Sequence, residues 1–401
     1  MDFDFIQGLK QAAETKIVLL VMDGLGGLPM KQDGPTELEE ARTPVLDRLA
    51  AQGICGLHQP IAPGITPGSG PSHLALFGYD PLKYQVGRGV LSALGIDFDL
   101  QANDVAARGN FCTLDEEGLV SDRRAGRIPT EKSEELCKLL RKITLPDVDV
   151  FIKPVKEYRF LLVLRGDGLS GDLADTDPQD TGEKPLEPQA KTTAAERTAD
   201  IVKQFIEQAR EILADHDPAN MVLLRGFSQL PDWPSFEKVF GLCAAAIAAY
   251  PMYRGVASLV GMDVLKTGTE FEDEFSTLEK HWNDYDFFFL HMKPIDSAGE
   301  DGNSEQKIRL IEEVDALVPR LLTLDPDVLL VTGDHSTPSL LKSHGWHPVP
   351  VLLWSKYCRA DNVNSFGERA CMSGGLGARI PAIDLMPLAL ANAQRLEKFG
   401  A

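Results

Sequence analysis

The segment that most constrains this chain is Lys16-Ile-Val-Leu-Leu-Val-Met-Asp-Gly24. A continuous, β-branched apolar run is the pattern of a strand buried on both faces, which belongs in a parallel sheet covered by helices. It ends in a carboxylate, Asp23. Open α/β sheets bind ligands outside the carboxyl ends of their strands, so Asp23 is expected at a functional edge. Two later segments have the same form: Phe287-Phe-Phe-Leu-His-Met292, which runs on to Asp296, and Val328-Leu-Leu-Val-Thr-Gly-Asp-His335. As parallel strands of one sheet they bring Asp23, His291 with Asp296, and Asp334 with His335 to one edge. Cys243–Ala249 and Val349-Pro-Val-Leu-Leu-Trp354 continue the alternation of strands and helices, and the fold class is α/β.

Local signals fill in the first part of the chain. Thr43 is the expected N-cap and Pro44 the first residue of a helix that Gly53 ends. Residues 60–72 hold four Pro and three Gly, which predicts a rigid loop ahead of a helix from Ser72 to Phe77. Such a loop suits an exposed reactive side chain. From about 106 to 235 the character changes: Arg-rich pieces, a strand at Phe160–Leu164, a polar acidic stretch from Asp172 to Pro188, a helix from Thr193 to Ala214 and a strand ending in Leu223-Leu-Arg-Gly226. This predicts a smaller α/β domain, 106–235, inserted into a first domain made of 1–105 and 236–401. The length, 401 residues, exceeds what one core usually fills and agrees with two domains.

Composition excludes several functions. A formal charge of −20 argues against wrapping nucleic acid or lying on an anionic bilayer. The first apolar run is too short for a membrane span, and the acidic start does not read as a signal peptide. The six Cys form no C-x-x-C pair and no regular spacing, so reduced thiols and a cytoplasmic location are expected. No internal repeat is evident. The glycines of Asp23-Gly-Leu-Gly-Gly27 do not make G-x-G-x-x-G, so a dinucleotide site has little support.

Five of the eight His fall at 281, 291, 335, 344 and 347, with Asp296, Glu300 and Asp334 among them. An Asp-His pair directly after a buried strand, with another His ten residues from Asp334, is a common way to fill metal positions; mixed carboxylate and imidazole ligands suit Mn²⁺, Zn²⁺ or Fe²⁺, and carboxylate-rich sets suit Mg²⁺ or Mn²⁺.

A series of motifs then stands in order: Val21-Met-Asp-Gly-Leu-Gly26, Pro67-Gly-Ser-Gly-Pro-Ser-His-Leu74, Phe77-Gly-Tyr-Asp-Pro81, Tyr84-Gln-Val-Gly-Arg-Gly89, Asp122-Arg-Arg-Ala-Gly-Arg127, Asp175-Thr-Asp-Pro178, His291-x-Lys-x-x-Asp296, Gly333-Asp-His-Ser-Thr-Pro338 and Pro348-Val-Pro350. In these the chain resembles the archaeal-type 2,3-bisphosphoglycerate-independent phosphoglycerate mutases, a branch of the alkaline phosphatase superfamily, over nearly its whole length. The resemblance implies an alkaline phosphatase-like three-layer α/β/α sandwich with the inserted domain closing over the site. It also implies interconversion of 3-phosphoglycerate and 2-phosphoglycerate through a phosphoserine at a two-metal site. Ser69 corresponds to the nucleophile. Asp23, Ser69, Asp334 and His335 would bind one divalent ion, and Asp296, Glu300 and His344 the other, with Mn²⁺ or Mg²⁺ favoured and Zn²⁺ an alternative.

The chemistry agrees. A serine hydroxyl is a weak nucleophile at neutral pH, and two cations can activate it and stabilise the transferring phosphoryl group. Arginines would bind the small anionic phosphorylated substrate: Arg123, Arg124 and Arg127 of the inserted domain first, then Arg159, Arg165, Arg225 and Arg254. The segment 121–127 carries a local +2 inside an acidic chain. A homo-oligomer is compatible with this reading. Two features depart from the family pattern. Glu300 stands where an imidazole is usual, which favours harder metals or a changed activity, such as a phosphatase, a phosphotransferase on another small phosphorylated acid, or an inert relative. His347 stands where an acid or amide is usual before Pro-Val-Pro, and is an alternative ligand to His344. Gly302-Asn-Ser-Glu305 resembles the nucleophile motif of bacterial-type mutases but is read as a helix start with Ser304 as N-cap.

Overall fold

The computed structural model describes residues 2–400. Strands β1 (Ile17–Met22) and β2 (Ile54–Gln59) come first. Then follow β3 (Val105–Leu114), β4 (Val120–Asp122), β5 (Asp149–Lys156), β6 (Arg159–Arg165) and β7 (Met221–Ser228). The chain continues through β8 (Ala244–Ala248), β9 (Asp263–Val264), β10 (Phe287–Met292), β11 (Val328–Thr332), β12 (Val349–Ser355) and β13 (Gly377–Pro381). Two compact units result, one of residues up to Gln85 together with Trp233 onward, the other Val86–Asp232.

The first unit holds an eight-stranded sheet in the order β13-β2-β12-β11-β1-β10-β8-β9. Every residue of β1, β10 and β11 is buried, as their unbroken apolar runs require, and each such side chain contributes about 1.5–3 kcal/mol. β1 lies parallel to both neighbours, with Val21 opposite His291 on one side and Thr332 on the other. That register carries Asp23, Lys293 and Asp334 off the same edge. β12 runs antiparallel to both β11 and β2, so the sheet is mixed.

Helices cover both faces, as the three-layer expectation requires. Val18, Leu20 and Met22 share a core with Phe271, Phe275, Ile311 and Val314, from helices Phe271–His281 and Ser304–Leu322. On the opposite face Phe289 meets Phe77 edge-on at 4.9 Å and Phe287 lies 4.8 Å from Phe236. Among the described residues no helix is long and apolar enough to cross a membrane.

Three local expectations shift. The helix predicted from Ser72 starts at Ser69, with Gly68 in extended conformation as its N-cap. Helix Ser304–Leu322 is capped by Asn303, whose side chain accepts from Gln306 N; Ser304 is its first residue, because the amide oxygen one position earlier reaches the third helical N–H. Thr43 and Pro44 open helix Pro44–Gln52 as predicted, but Thr43 makes no side-chain cap bond. Asp315 takes that role from another helix, accepting from Leu46 N at 2.8 Å and Val45 N at 3.2 Å.

The second unit is a five-stranded antiparallel sheet, β4-β3-β6-β5 with β7 also on β3. Helices Thr130–Leu140 and Glu196–Leu213 supply Leu136, Phe205 and Leu213 to a core with Phe111 and Phe160. This unit spans Val86–Asp232. Gly89 packs helix Arg88–Gly95 so tightly on Ala106 that a Cβ would collide with the backbone there. That helix therefore belongs to the second unit.

Candidate active site

Ser69 sits at the first position of helix Ser69–Leu76, where unpaired N–H groups and the helix dipole favour a phosphate. Its Oγ lies 3.3 Å from His335 Nε2. One turn on, His73 donates from Nδ1 to the Ser69 carbonyl at 2.8 Å, fixing the start of the helix.

Asp23 and Asp334 flank this serine's neighbour. His335 Nε2 is 3.1 Å from Asp334 Oδ2 and 3.5 Å from Asp23 Oδ1. Asp23, Asp334 and His335 are fully buried, and their ligand atoms lie within 4.8 Å of one another. Both Asp23 oxygens and Asp334 Oδ2 are buried without a hydrogen bond. Buried carboxylate oxygens left unpaired are costly, and a divalent cation satisfies them, so these residues fit a metal. Burial resists charge on Asp23, yet the Lys293 ammonium and His291 hold its carboxyl well below the usual carboxylate range. Burial and the adjacent Asp23 push Asp334 well above it. Burial also holds His335 and His291 below the usual imidazole value and takes His73 down to about 3, leaving these rings neutral.

A second group forms around Asp296, buried in helix Pro294–Glu300. Asp296, His335 and His344 again place ligand atoms within 4.8 Å of one another. His344 donates from Nδ1 to the Pro67 carbonyl, which turns its Nε2 toward Asp296 Oδ1 at 3.8 Å and Glu300 Oε1 at 3.9 Å. Glu300 has its side chain 53 % exposed and stands at the rim. The His344 ring stacks on His335 at 3.6 Å, so His335 borders both groups, whereas the sequence pattern assigns it to one. His347 stacks on Trp346 and keeps a buried Nδ1 without a partner; it joins neither group.

Two residues quoted in the motifs without a role stand at the centre. Lys293 Nζ is bonded to Asp296 Oδ2 and lies 3.6 Å from Asp23 Oδ2. Burial opposes its charge, but Asp23 and Asp296 outweigh that and raise it well above the ordinary lysine value. His291 stacks on Tyr253 at 3.8 Å and approaches Asp23 Oδ2 at 3.3 Å.

In the second unit the arginines divide. Arg123 is held in both arms by buried Asp177, at 2.9 and 2.8 Å, and Arg165 by Asp104 at 2.7 Å. Arg124 and Arg127 are exposed. Arg159 Nη1 donates to Glu157 at 2.9 Å. Arg254 lies in helix Pro251–Leu259 of the first unit. Further positive charge gathers around Arg108 on β3: Arg225 on β7 lies opposite it, and Arg159 on β6 and Arg88 at the start of helix Arg88–Gly95 are within electrostatic reach, although Arg159 is paired with Glu157 and Arg225 lies 3.6 Å from Asp175 and 3.3 Å from Asp177. Burial first, then Arg88, Arg159 and Arg225, pushes Arg108 down to about 9. Arg108 Nε and Arg225 Nε are buried without a hydrogen bond. The idle Nε donors of Arg108 and Arg225 are of the kind that suits an oxyanion. Arg88 stands in a quoted motif; Arg108 left no signal, because one arginine in an apolar strand reads as an edge residue.

Residues 50–220 match the family model described as 2,3-bisphosphoglycerate-independent phosphoglycerate mutase. A probable 2,3-bisphosphoglycerate-independent phosphoglycerate mutase of Thermus thermophilus is 51% identical over 100% of this chain and 99% of its own length. One from Aquifex aeolicus is 51% identical over 99% of this chain and all of its own. Among solved structures, the cofactor-independent phosphoglycerate mutase of Thermoplasma acidophilum is 30% identical, with a TM-score of 0.70 over 94% of this chain and 100% of that one. The chain belongs to the 2,3-bisphosphoglycerate-independent phosphoglycerate mutases.

Proposed function

We propose that the chain interconverts 3-phosphoglycerate and 2-phosphoglycerate through a phosphoserine at Ser69, with two divalent cations in the paired groups. The observation that carries this reading is the Ser69 hydroxyl, 3.3 Å from His335, at a helix N-terminus beside buried carboxylate oxygens of Asp23 and Asp334 that make no hydrogen bond.

Asp23, Asp334, His335 and Ser69 would hold one cation, and Asp296, His344 and Glu300 the other, with His335 at the boundary. When bound, the cations lower the cost of charge on the serine oxygen and on the phosphoryl group. Ser69 Oγ attacks phosphorus, the bond from phosphorus to the C3 oxygen breaks, and the serine proton ends on that oxygen of glycerate. The glycerate then turns, its C2 hydroxyl attacks the phosphoserine, and Ser69 recovers a proton. Unpaired main-chain N–H groups at the start of helix Ser69–Leu76 stabilise the phosphoryl oxygens in both directions. Lys293 balances Asp23 and Asp296. Arg88, Arg108, Arg159 and Arg225 would bind the carboxylate or phosphate of the substrate in bidentate fashion. Glu300, an oxygen donor in place of nitrogen, favours Mn²⁺ or Mg²⁺.

Purified protein loaded with Mn²⁺ and given 3-phosphoglycerate without any bisphosphoglycerate is expected to form 2-phosphoglycerate, followed by phosphorus NMR. Release of inorganic phosphate as the main product would replace the mutase reading with a phosphatase one. Ser69→Ala is expected to lose phosphoenzyme labelling and turnover together; a labelled Ser69→Ala protein would remove Ser69 from the nucleophile's role.

A further inference from the structure

Thr337 stands two residues after His335, with its hydroxyl between the two metal groups. Thr337 Oγ1 lies 2.5 Å from Asp296 Oδ1 and 3.0 Å from His335 Nδ1. The hydroxyl has one proton to give. Asp296 is ion-paired with Lys293 through its other oxygen, and a carboxylate only accepts, so the Thr337 proton goes to Asp296 Oδ1. Thr337 must then accept from His335. That places the imidazole proton on Nδ1 and leaves the lone pair on Nε2, the atom that faces Ser69, Asp23 and Asp334.

The surrounding chain holds Thr337 in this position. The Lys307 ammonium, fully buried, donates to the Thr337 carbonyl at 2.9 Å and the Gly26 carbonyl at 3.1 Å. Gly24, next to Asp23, has φ +67°, and a Cβ there would lie 2.6 Å from Thr337 Oγ1 and 2.8 Å from Asp296 Oδ1. A Cβ on Gly299 would collide with the Thr337 carbonyl. Gly24 thus clears the space that the Thr337–Asp296 bond occupies, and Gly299 the space of the Thr337 main chain and methyl.

We propose that Thr337 is a positioning residue that joins the two metal groups: one hydroxyl fixes the orientation of Asp296 in one and the tautomer of His335 in the other. The inference rests on the two-cation reading for its effect on metal binding, but the tautomer is a property of the protein alone. Partners of this kind, hydrogen-bonded behind a metal ligand, typically change metal affinity by about 10- to 100-fold when removed.

The test uses Thr337→Val, which keeps the shape, and Thr337→Ser, which keeps the hydroxyl. Long-range proton–nitrogen NMR on metal-free protein labelled at histidine nitrogens is expected to show His335 protonated at Nδ1 in wild type and Thr337→Ser. Thr337→Val is expected to show a tautomer mixture. Titration with Mn²⁺ by calorimetry is expected to weaken about 10- to 100-fold in Thr337→Val and to recover in Thr337→Ser. Wild-type His335 protonated at Nε2 overturns the proposal, as does a Thr337→Val protein that retains either the single tautomer or wild-type Mn²⁺ affinity. If the wild type binds no Mn²⁺, the two-cation reading fails, and the wild-type tautomer still decides on Thr337.

Discussion

His344 donates its Nδ1 proton to the Pro67 carbonyl, 2.9 Å away and 277 residues earlier in the chain. The bond ties the segment after β11 to the loop that leads into helix Ser69–Leu76, and it turns Nε2 toward Asp296 and Glu300. Removing the imidazole by His344→Ala is expected to weaken Mn²⁺ binding at least about 10-fold. Glu300→His, which restores nitrogen at that rim position, is expected to shift preference from Mn²⁺ toward Zn²⁺. Competition between the two ions, read as bound metal by mass spectrometry, checks this; an unchanged ratio would remove Glu300 from the ligand set.

Arg108 is held in a cluster of like charge, with its guanidinium pushed down to about 9 by burial and three neighbouring arginines. A site that concentrates repulsion stabilises its ligand at the expense of the empty fold. Arg108→Met is therefore expected to raise the melting temperature and to raise KM for 3-phosphoglycerate by roughly 10-fold or more, the loss of a charged hydrogen bond. Mn²⁺ affinity should not move. A lower melting temperature with unchanged KM would reassign Arg108 to structure.

Glu274 is buried and accepts from Ala249 N at 3.3 Å. Burial pushes its carboxyl from 4.5 up to about 9. The folded state therefore holds a proton that the unfolded chain loses, and stability falls as pH rises between about 4.5 and 9. Glu274→Gln keeps the acceptor and removes the titration. Its stability relative to wild type, from urea unfolding at pH 5 and pH 8, is expected to grow with pH by more than about 1 kcal/mol. A difference independent of pH would refute the assignment.

Lys307 pairs with buried Glu37 at 4.0 Å while bonding two carbonyls, and Glu37 accepts from Leu28 N and Ser339 N. Lys307→Met leaves a buried carboxylate without its cation and is expected to cost about 3–5 kcal/mol. Adding Glu37→Gln should recover at least about 1 kcal/mol, the coupling expected of residues in one network. Strict additivity in denaturant unfolding would show that the two do not act as a pair.

Much of the architecture is legible along the chain. The runs ending at Met22, Met292 and Thr332 are uniformly apolar because both of their faces are covered, so they announce parallel strands and the edge where Asp23, Asp296 and Asp334 emerge. Thr43, Pro44 and Gly53 mark a helix by local chemistry alone. Lys307 and Asp315 are different. Both sit inside helix Ser304–Leu322, where a charged residue reads as part of the solvent face. Their burial depends on partners from distant segments, two carbonyls in one case and two helix N–H groups in the other.

The sequence by itself determined what is encoded within a few residues: strand and helix type, the sheet edge, and the residue types able to hold metal. The tertiary structure alone decided which atoms meet. It set the start of the helix at Ser69, made His335 common to both candidate metal groups, turned the Thr337 hydroxyl between Asp296 and His335, and brought Arg88, Arg108, Arg159 and Arg225 within electrostatic reach of one another. Hydrogen bonds and ion pairs depend on distances of a few ångströms between segments hundreds of residues apart. Those distances follow from sheet register and helix packing, which local pattern constrains only as a whole.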